Sequence, residues 1–317
     1  MTSSFIYLAS IALEPERWSS RRPSFAFSEW CPAAREAGFD GIELWEYHYT
    51  LAAGGERELL ERALGGAEAA GKPPDARTPD LQSPGPQSPD VHSTAAQSPA
   101  AQPADAQPAP QPAARQSPAR WRAPPIFNTY ALPTRGDRHR WRESISLATT
   151  LAAAGIKFNL GADPARAGEH RDVLLETLSS LPEGIELLCE CHPGTIVERP
   201  EEAARFFESP ELEAVRFIIH PFLIGPAKLR RWFDALPGRL AHAHSQMRDR
   251  DNRMLPLASR PEYVGGQIGI LRELGYTGSF SIEFVEGTGT GRDLPSHTFA
   301  AAVNDMSTLR ALLSEAE

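Results

Sequence analysis

The feature that most constrains the fold is a regular alternation of short apolar runs with segments typical of helices. Eight such pairs occur, and the first two apolar runs cover residues 5–13 and 41–49. Continuous apolar runs are typical of strands covered on both faces, as in parallel sheets. The pattern predicts an α/β fold in which the strands close into a (β/α)8 TIM barrel. A doubly wound open sheet is the competing fold, but the segment after the first strand, Leu13-Glu-Pro-Glu-Arg17, lacks its usual glycine-rich turn.

One segment interrupts this alternation. Residues 73–125 hold 14 of the 29 prolines, and Gln-Ser-Pro recurs four times there. Such a Pro/Ala/Gln/Ser-rich composition buries too little apolar surface to offset the entropy of ordering, so we expect a disordered insert. The insert falls between helix 2 and strand 3, which leaves one barrel domain built from residues 1–72 and 126–317. That junction lies at the opposite end of a barrel from the active site, so we expect the insert to be irrelevant to catalysis.

Charge and cysteine content indicate which partners and which cellular compartment to expect for the protein. The net charge of −9 argues against a nucleic-acid partner, because such affinity comes mainly from neutralising phosphates. Three cysteines are too few for a disulfide framework and favour a reducing compartment. The N-terminal residues do not form a signal peptide, and no run approaches the roughly 18 apolar residues of a membrane span. We therefore expect a cytoplasmic protein without a membrane partner.

Histidine and glutamate stand near the C-terminal ends of the last four apolar runs. They are Glu190 with His192, His220, His242 with His244, and Glu283. Side chains two positions apart on a strand share a face, so each pair is predicted to point the same way. Because the ends of barrel strands meet, these side chains should converge. Carboxylate and imidazole groups suit a divalent metal ion, and the lack of thiolate ligands argues against a structural zinc site.

Three segments resemble the xylose isomerase-like TIM-barrel superfamily, which includes sugar isomerases, ketohexose epimerases and inosose dehydratases. They are Glu190-Cys-His-Pro-Gly-Thr195, Ala241-His-Ala-His-Ser245 and Gly275-Tyr-Thr-Gly-Ser-Phe-Ser-Ile-Glu-Phe284. The resemblance covers essentially the whole chain outside the insert. It implies a metal ion held by strands 5 to 8, through Glu190, His220, His244 and Glu283 respectively.

Strand 6 departs from the superfamily pattern. His220 stands where an aspartate is usual. A neutral histidine removes one negative charge from the site, which favours Zn²⁺, Co²⁺ or Mn²⁺ over Mg²⁺ as the cofactor.

The resemblance also implies an activity: a metal-dependent isomerase or epimerase that acts on a small sugar or polyol ketone. In such enzymes one glutamate removes a proton alpha to the carbonyl and the other returns it, by way of an enediolate. Glu190 and Glu283 would be this catalytic pair in the present chain.

Four further residues are predicted to bind substrate. His192 would hydrogen-bond a hydroxyl group, and His242 shares a face with His244. Glu43 matches a glutamate often found on strand 2 of the superfamily, although a salt bridge inside the barrel explains it equally well. Arg248 follows strand 7 and either reaches a substrate oxygen or points into solvent.

Other functions stay open. A lyase of the same family, similar to inosose dehydratase, uses the same carbanion chemistry. An endonuclease IV-like phosphodiesterase would need additional histidine and aspartate ligands that strands 2 and 3 do not supply. A barrel without catalysis, acting as a binding or scaffold protein, is the alternative of another class. The sequence does not identify the substrate, and a homo-oligomer is possible.

Overall fold

The computed structural model describes residues 4–65, 120–290 and 293–315. Within them, eight parallel strands form one closed barrel in which neighbours follow chain order and the first strand pairs with the last. The predicted (β/α)8 barrel is confirmed. The strands are β1 (Ile6–Ala9), β2 (Gly41–Trp45), β3 (Ile126–Asn128), β4 (Gly155–Phe158), β5 (Glu186–Glu190), β6 (Arg216–Ile219), β7 (Leu240–Ser245) and β8 (Ser279–Ile282).

Helices surround this barrel and cover the outer faces of its strands. They are α1 (Cys31–Ala37), α2 (Glu46–Thr50), α3 (Glu56–Leu64), α4 (Arg138–Thr150), α5 (Ala167–Leu178), α6 (Pro200–Phe206), α7 (Pro226–Ala235), α8 (Pro261–Glu273) and α9 (Pro295–Glu315). An antiparallel ribbon of two short strands, Met247–Arg248 and Met254–Leu255, follows β7. No helix in the described residues combines the length and apolar character needed to cross a membrane.

Apolar side chains fill the N-terminal end of the barrel interior. Tyr7, Ile126, Leu188 and Ile218 form one buried cluster there. A glycine makes room for one of them: a Cβ atom on Gly155 would lie 2.7 Å from the Leu188 side chain. This apolar cluster lies between the polar C-terminal half of the barrel interior and the solvent at the N-terminal end.

The first two strands are shorter than the sequence predicted. β1 ends at Ala9 and a 3-10 helix (Ser10–Leu13) follows it, while β2 ends at Trp45 and leads directly into α2. The Ser10 hydroxyl accepts a hydrogen bond from the Trp45 N–H (2.8 Å). A side chain thus replaces the backbone partner at the point where the ladder ends. The predictions of strand over residues 10–13 and 46–49 were therefore wrong.

Most of the predicted insert, residues 73–119, lies outside the described residues. Its last six residues, 120–125, are described and contact the barrel. The Trp121 indole N–H donates to the carbonyl oxygen of Ala63 (2.8 Å), and the Ala123 N–H donates to that of Asp40 (2.9 Å). The chain therefore returns beside the end of α3 before it enters β3.

Candidate active site

Four side chains meet at the C-terminal end of the barrel. Glu190, His220, His244 and Glu283 are buried, and one ligand atom from each lies within 4.8 Å of the others. His220 Nε2 is 3.1 Å from Glu190 Oε1 and 3.6 Å from Glu283 Oε2. His244 Nδ1 is 3.3 Å from Glu190 Oε1 and 3.2 Å from Glu283 Oε2. The four residues predicted as metal ligands thus lie together, His220 included.

The geometry of this cluster fits a divalent ion. Zinc lies about 2.0–2.2 Å from nitrogen and oxygen ligands, so neighbouring ligands of a tetrahedral site are about 3.3–3.6 Å apart. The four separations given above lie close to that spacing. Glu190 Oε1 and His244 Nδ1 are also buried without a hydrogen-bond partner in the described part of the chain. Two carboxylates and two imidazoles, with two unsatisfied atoms among them, could hold a divalent metal ion.

Glu43 lies behind His244. Its Oε2 atom is 3.1 Å from His244 Nε2, and the same oxygen accepts a hydrogen bond from the Ser281 hydroxyl (2.6 Å). Asn128 donates to its other oxygen (3.1 Å). A histidine that binds metal through one nitrogen commonly donates from the other to a carboxylate, which fixes the orientation of its ring. This position suits an orienting role for Glu43 better than the predicted contact with substrate.

His242 lies deeper in the barrel than His244. Its two ring nitrogens are 2.7 Å from the hydroxyl oxygens of Ser279 and Ser281. Its ring packs edge-on against Tyr7, which belongs to the apolar cluster at the N-terminal end of the barrel interior. Both polar atoms therefore have protein partners. Substrate binding by His242 stays a prediction that its surroundings do not favour.

Two further residues, which were not predicted from the sequence, contact the glutamates. Lys157 on β4 is buried with Nζ 2.7 Å from Glu190 Oε2, so it occupies the oxygen that faces away from the cluster. Gln246 follows β7 and donates from Nε2 to Glu283 Oε2 (2.6 Å). The signal for Lys157 was a lysine inside the apolar run Gly155-Ile-Lys-Phe158. A buried lysine needs a charged partner, and the nearby strand ends offered glutamates.

The carboxylates and histidines of the cluster shift one another's pKa values as ion-pair partners do. Burial raises the pKa of Glu190, but the Lys157 ammonium and the nearby rings of His220 and His244 together lower it well below its ordinary value. Burial also raises the pKa of Glu283, but the charge of His244 and the close approach of the His220 and His244 rings together lower that pKa to about 2. Burial lowers the pKa of His244, whereas Glu283 and Glu43 raise it well above the usual range. Both glutamates are ionised, and a metal ion would displace protons from the histidines.

A cavity of about 770 Å³ opens beside His220. His192 and Arg248 line it, as do Gln246 and residues of the loops after β5 to β7. The His192 ring is exposed and stands edge-on to His220, with ring centroids 6.4 Å apart. Two of the four predicted substrate-binding residues therefore face a cavity that adjoins these four side chains, the candidate metal cluster.

Solved structures with a similar fold were found, whereas no protein-family model and no curated protein matches the sequence. One is described as the probable 3-DHS dehydratase AsbF of Bacillus anthracis, involved in petrobactin synthesis. It is 15% identical, with a TM-score of 0.58 over 98% of this chain and 97% of that one. A second is a xylose isomerase domain-containing protein from Salmonella typhimurium LT2, 9% identical, with a TM-score of 0.55 over 97% of each chain. The chain therefore has the fold of the xylose isomerase-like TIM barrels.

Proposed function

We propose that this protein is a metal-dependent isomerase or epimerase that removes a proton alpha to the carbonyl of a sugar or polyol ketone. The observation that carries the proposal is the convergence of two buried glutamates and two buried histidines at the C-terminal end of the barrel. TIM-barrel active sites lie at that end.

The two glutamates supply the acid–base chemistry. An ion held by Glu190, His220, His244 and Glu283 would supply a Lewis acid for the substrate oxygens. Glu190 and Glu283 are ionised, as a general base must be, and they approach the cluster from different strands. One would take the proton from the carbon beside the carbonyl, and the other would return it. Lys157 holds Glu190 through the oxygen that is not in the cluster, so the remaining oxygen keeps its position.

Dehydration of a hydroxy ketone is the second candidate. The similarity in fold to a protein described as a probable 3-DHS dehydratase is the reason to consider it. The reaction would begin with the same proton abstraction, and the beta hydroxyl would then leave as water after accepting a proton. His192, exposed beside the cavity next to His220, is placed to donate that proton.

Metal content and proton exchange together test the proposal. We expect elemental analysis to find one divalent ion per chain in the purified protein. We also expect deuterium from D2O to enter ketoses or keto-inositols at the carbon beside the carbonyl, as followed by NMR. Glu283→Gln should lose the exchange and weaken metal binding. Glu286→Gln is the matched control, because Glu286 is exposed three residues further along the chain.

The outcomes separate the candidate functions. Entry of deuterium into a ketone that keeps all its hydroxyl groups supports the isomerase or epimerase. Appearance of an unsaturated ketone supports the dehydratase. A protein that takes up no metal ion after incubation with Zn²⁺, Co²⁺ or Mn²⁺ contradicts both and favours the scaffold protein.

A further inference from the structure

The cavity beside His220 carries an excess of positive charge. Among the described residues that line it are three cationic side chains, Lys228, Arg248 and Arg260, and two carboxylates, Glu198 and Asp249. Asp249 is paired with Arg253, whose Nε lies 2.9 Å from Asp249 Oδ2. That carboxylate is therefore neutralised from outside the cavity, which leaves three cations facing one carboxylate.

Arg248 is held in place by neutral groups. Its guanidinium donates to Asn252 Oδ1 (2.8 Å) and to Gln246 Oε1 (3.3 Å), and its Nε atom is buried with no hydrogen-bond partner in the described ranges. Gln246 in turn donates to Glu283 Oε2 (2.6 Å). The positive charge of Arg248 is thus positioned next to the candidate metal cluster, and it forms no ion pair with a carboxylate among the residues that the structure describes.

Such an arrangement favours an anionic ligand. Guanidinium and ammonium groups form their strongest hydrogen bonds with carboxylate and phosphate oxygens. The whole chain has a net charge of −9, so a local excess of cations in a cavity is not a consequence of its overall composition. Binding energy from a remote substrate group can also be used to orient the carbon that reacts.

We propose that this cavity binds an anionic group, carboxylate or phosphate, carried by the polyol ketone, and that Arg248 is its main contact. The substrate would then be a sugar acid or a sugar phosphate whose carbonyl lies over the metal cluster and whose anionic end lies between Arg248, Lys228 and Arg260. This proposal rests on the proposed function of the same site.

Three probes that differ in one group test the inference. Isothermal titration calorimetry of the purified protein would compare D-fructuronate, D-fructose 6-phosphate and D-fructose. We expect at least one anionic probe to bind about 10-fold to 100-fold more tightly than D-fructose, the range expected for charge-assisted hydrogen bonds. Tighter binding of D-fructuronate identifies a carboxylate site, and tighter binding of D-fructose 6-phosphate a phosphate site.

Arginine variants locate the effect. Arg248→Gln should remove most of the preference for the anion, measured as the ratio of the affinities for the anionic probe and for D-fructose in the same variant. Arg250→Gln is the matched control, because Arg250 is exposed two residues away and does not line the cavity. Lys228→Gln changes an exposed residue of α7 and should lower the affinity for the anion without affecting folding.

The result that overturns the proposal is equal binding of all three probes, no binding of either anion, or equal losses in the Arg248 and Arg250 variants. Metal content and deuterium exchange are measured on the same protein. Exchange without a preference for anions would reject this inference and leave the proposed function in place. Preference for an anion without exchange or metal would reject the proposed function and leave the anion site.

Discussion

Lys157 is a buried positive charge beside a carboxylate that we propose as both metal ligand and base. Its side chain is 4% exposed and that of Glu190 2%. Burial lowers the pKa of the ammonium, but Glu190, together with the more distant Tyr130, Glu283 and Glu43, raises the pKa above its ordinary value. The residue therefore stays protonated beside Glu190.

Replacing Lys157 by methionine should destabilise the protein. The variant leaves the Glu190 carboxylate buried beside an apolar side chain, and breaking a buried ion pair in this way costs about 3–5 kcal/mol. Urea unfolding at neutral pH would measure the difference in free energy of unfolding. Lys228→Met, at an exposed position, is the control and should change it little. Equal stabilities of the Lys157 variant and the natural protein would show that the pair contributes nothing.

At the residue scale, the sequence predicted the four clustered side chains but not their surroundings. Alternation along a strand gives the face of a side chain and not its depth. His242 lies two positions before His244, which is about 6.6 Å further down the strand, and there it meets Ser279 and Ser281 instead of the cavity. His192 lies beyond the end of β5, where strand alternation no longer applies. To predict the contact between Lys157 and Glu190, one must know that β4 pairs with β5.

At the element scale, the order and type of the barrel strands followed from the sequence, whereas their ends did not. Hydrophobicity continues past the last ladder bond, but side chains near the strand ends take over backbone groups. Ser10 accepts the Trp45 N–H after β1, and Thr129 Oγ1 accepts the Ala131 N–H (3.0 Å) after β3. Such local hydrogen bonds compete with the ladder and do not alter the apolar pattern.

A buried carboxyl group on α9 predicts a pH-dependent contribution to stability. Asp305 accepts a hydrogen bond from the Leu257 N–H (2.8 Å). This bond connects α9 to the segment that follows the antiparallel ribbon of Met247–Arg248 and Met254–Leu255. Burial, aided by the charge of Glu286, raises its pKa to about 7 against the opposing effect of that hydrogen bond. A raised pKa means that the folded state holds this proton more tightly than the unfolded state. The contribution of the Asp305 carboxyl group to the free energy of unfolding is therefore full below about pH 4, and it is lost as the pH rises through about 7.

Asp305→Asn should remove this dependence, because an amide oxygen can still accept the Leu257 N–H. We expect the variant to match the natural protein near pH 4 and to exceed its free energy of unfolding by on the order of 2 kcal/mol at pH 8. Urea unfolding at both pH values measures this difference. Asp234→Asn changes an exposed aspartate on α7 and serves as the control. A stability difference that does not vary with pH would contradict the raised pKa.

At the scale of the whole molecule, the candidate active site and the described residues on either side of 66–119 lie at opposite ends of the barrel. The candidate metal cluster lies at the C-terminal ends of β5 to β8. The described residues that flank the insert are the end of α3 and the start of β3, which belong to the N-terminal end of a barrel. The hydrogen bond from Trp121 to Ala63 brings these flanks together. We therefore propose that the barrel folds and binds metal without residues 66–119.

Deleting residues 66–119 and joining the flanks by a short Gly/Ser linker tests this proposal. We expect the same metal content as in the full chain, and a free energy of unfolding within about 1 kcal/mol of it, because lengthening or shortening a flexible loop changes the closure entropy only slowly. Extending the deletion through residue 123 is the control. It removes buried Ala123 and the Trp121 contacts with Ala63 and Arg35, and should cost roughly 2–4 kcal/mol. Loss of metal or of proton exchange in the shorter deletion would show instead that the active site depends on the insert.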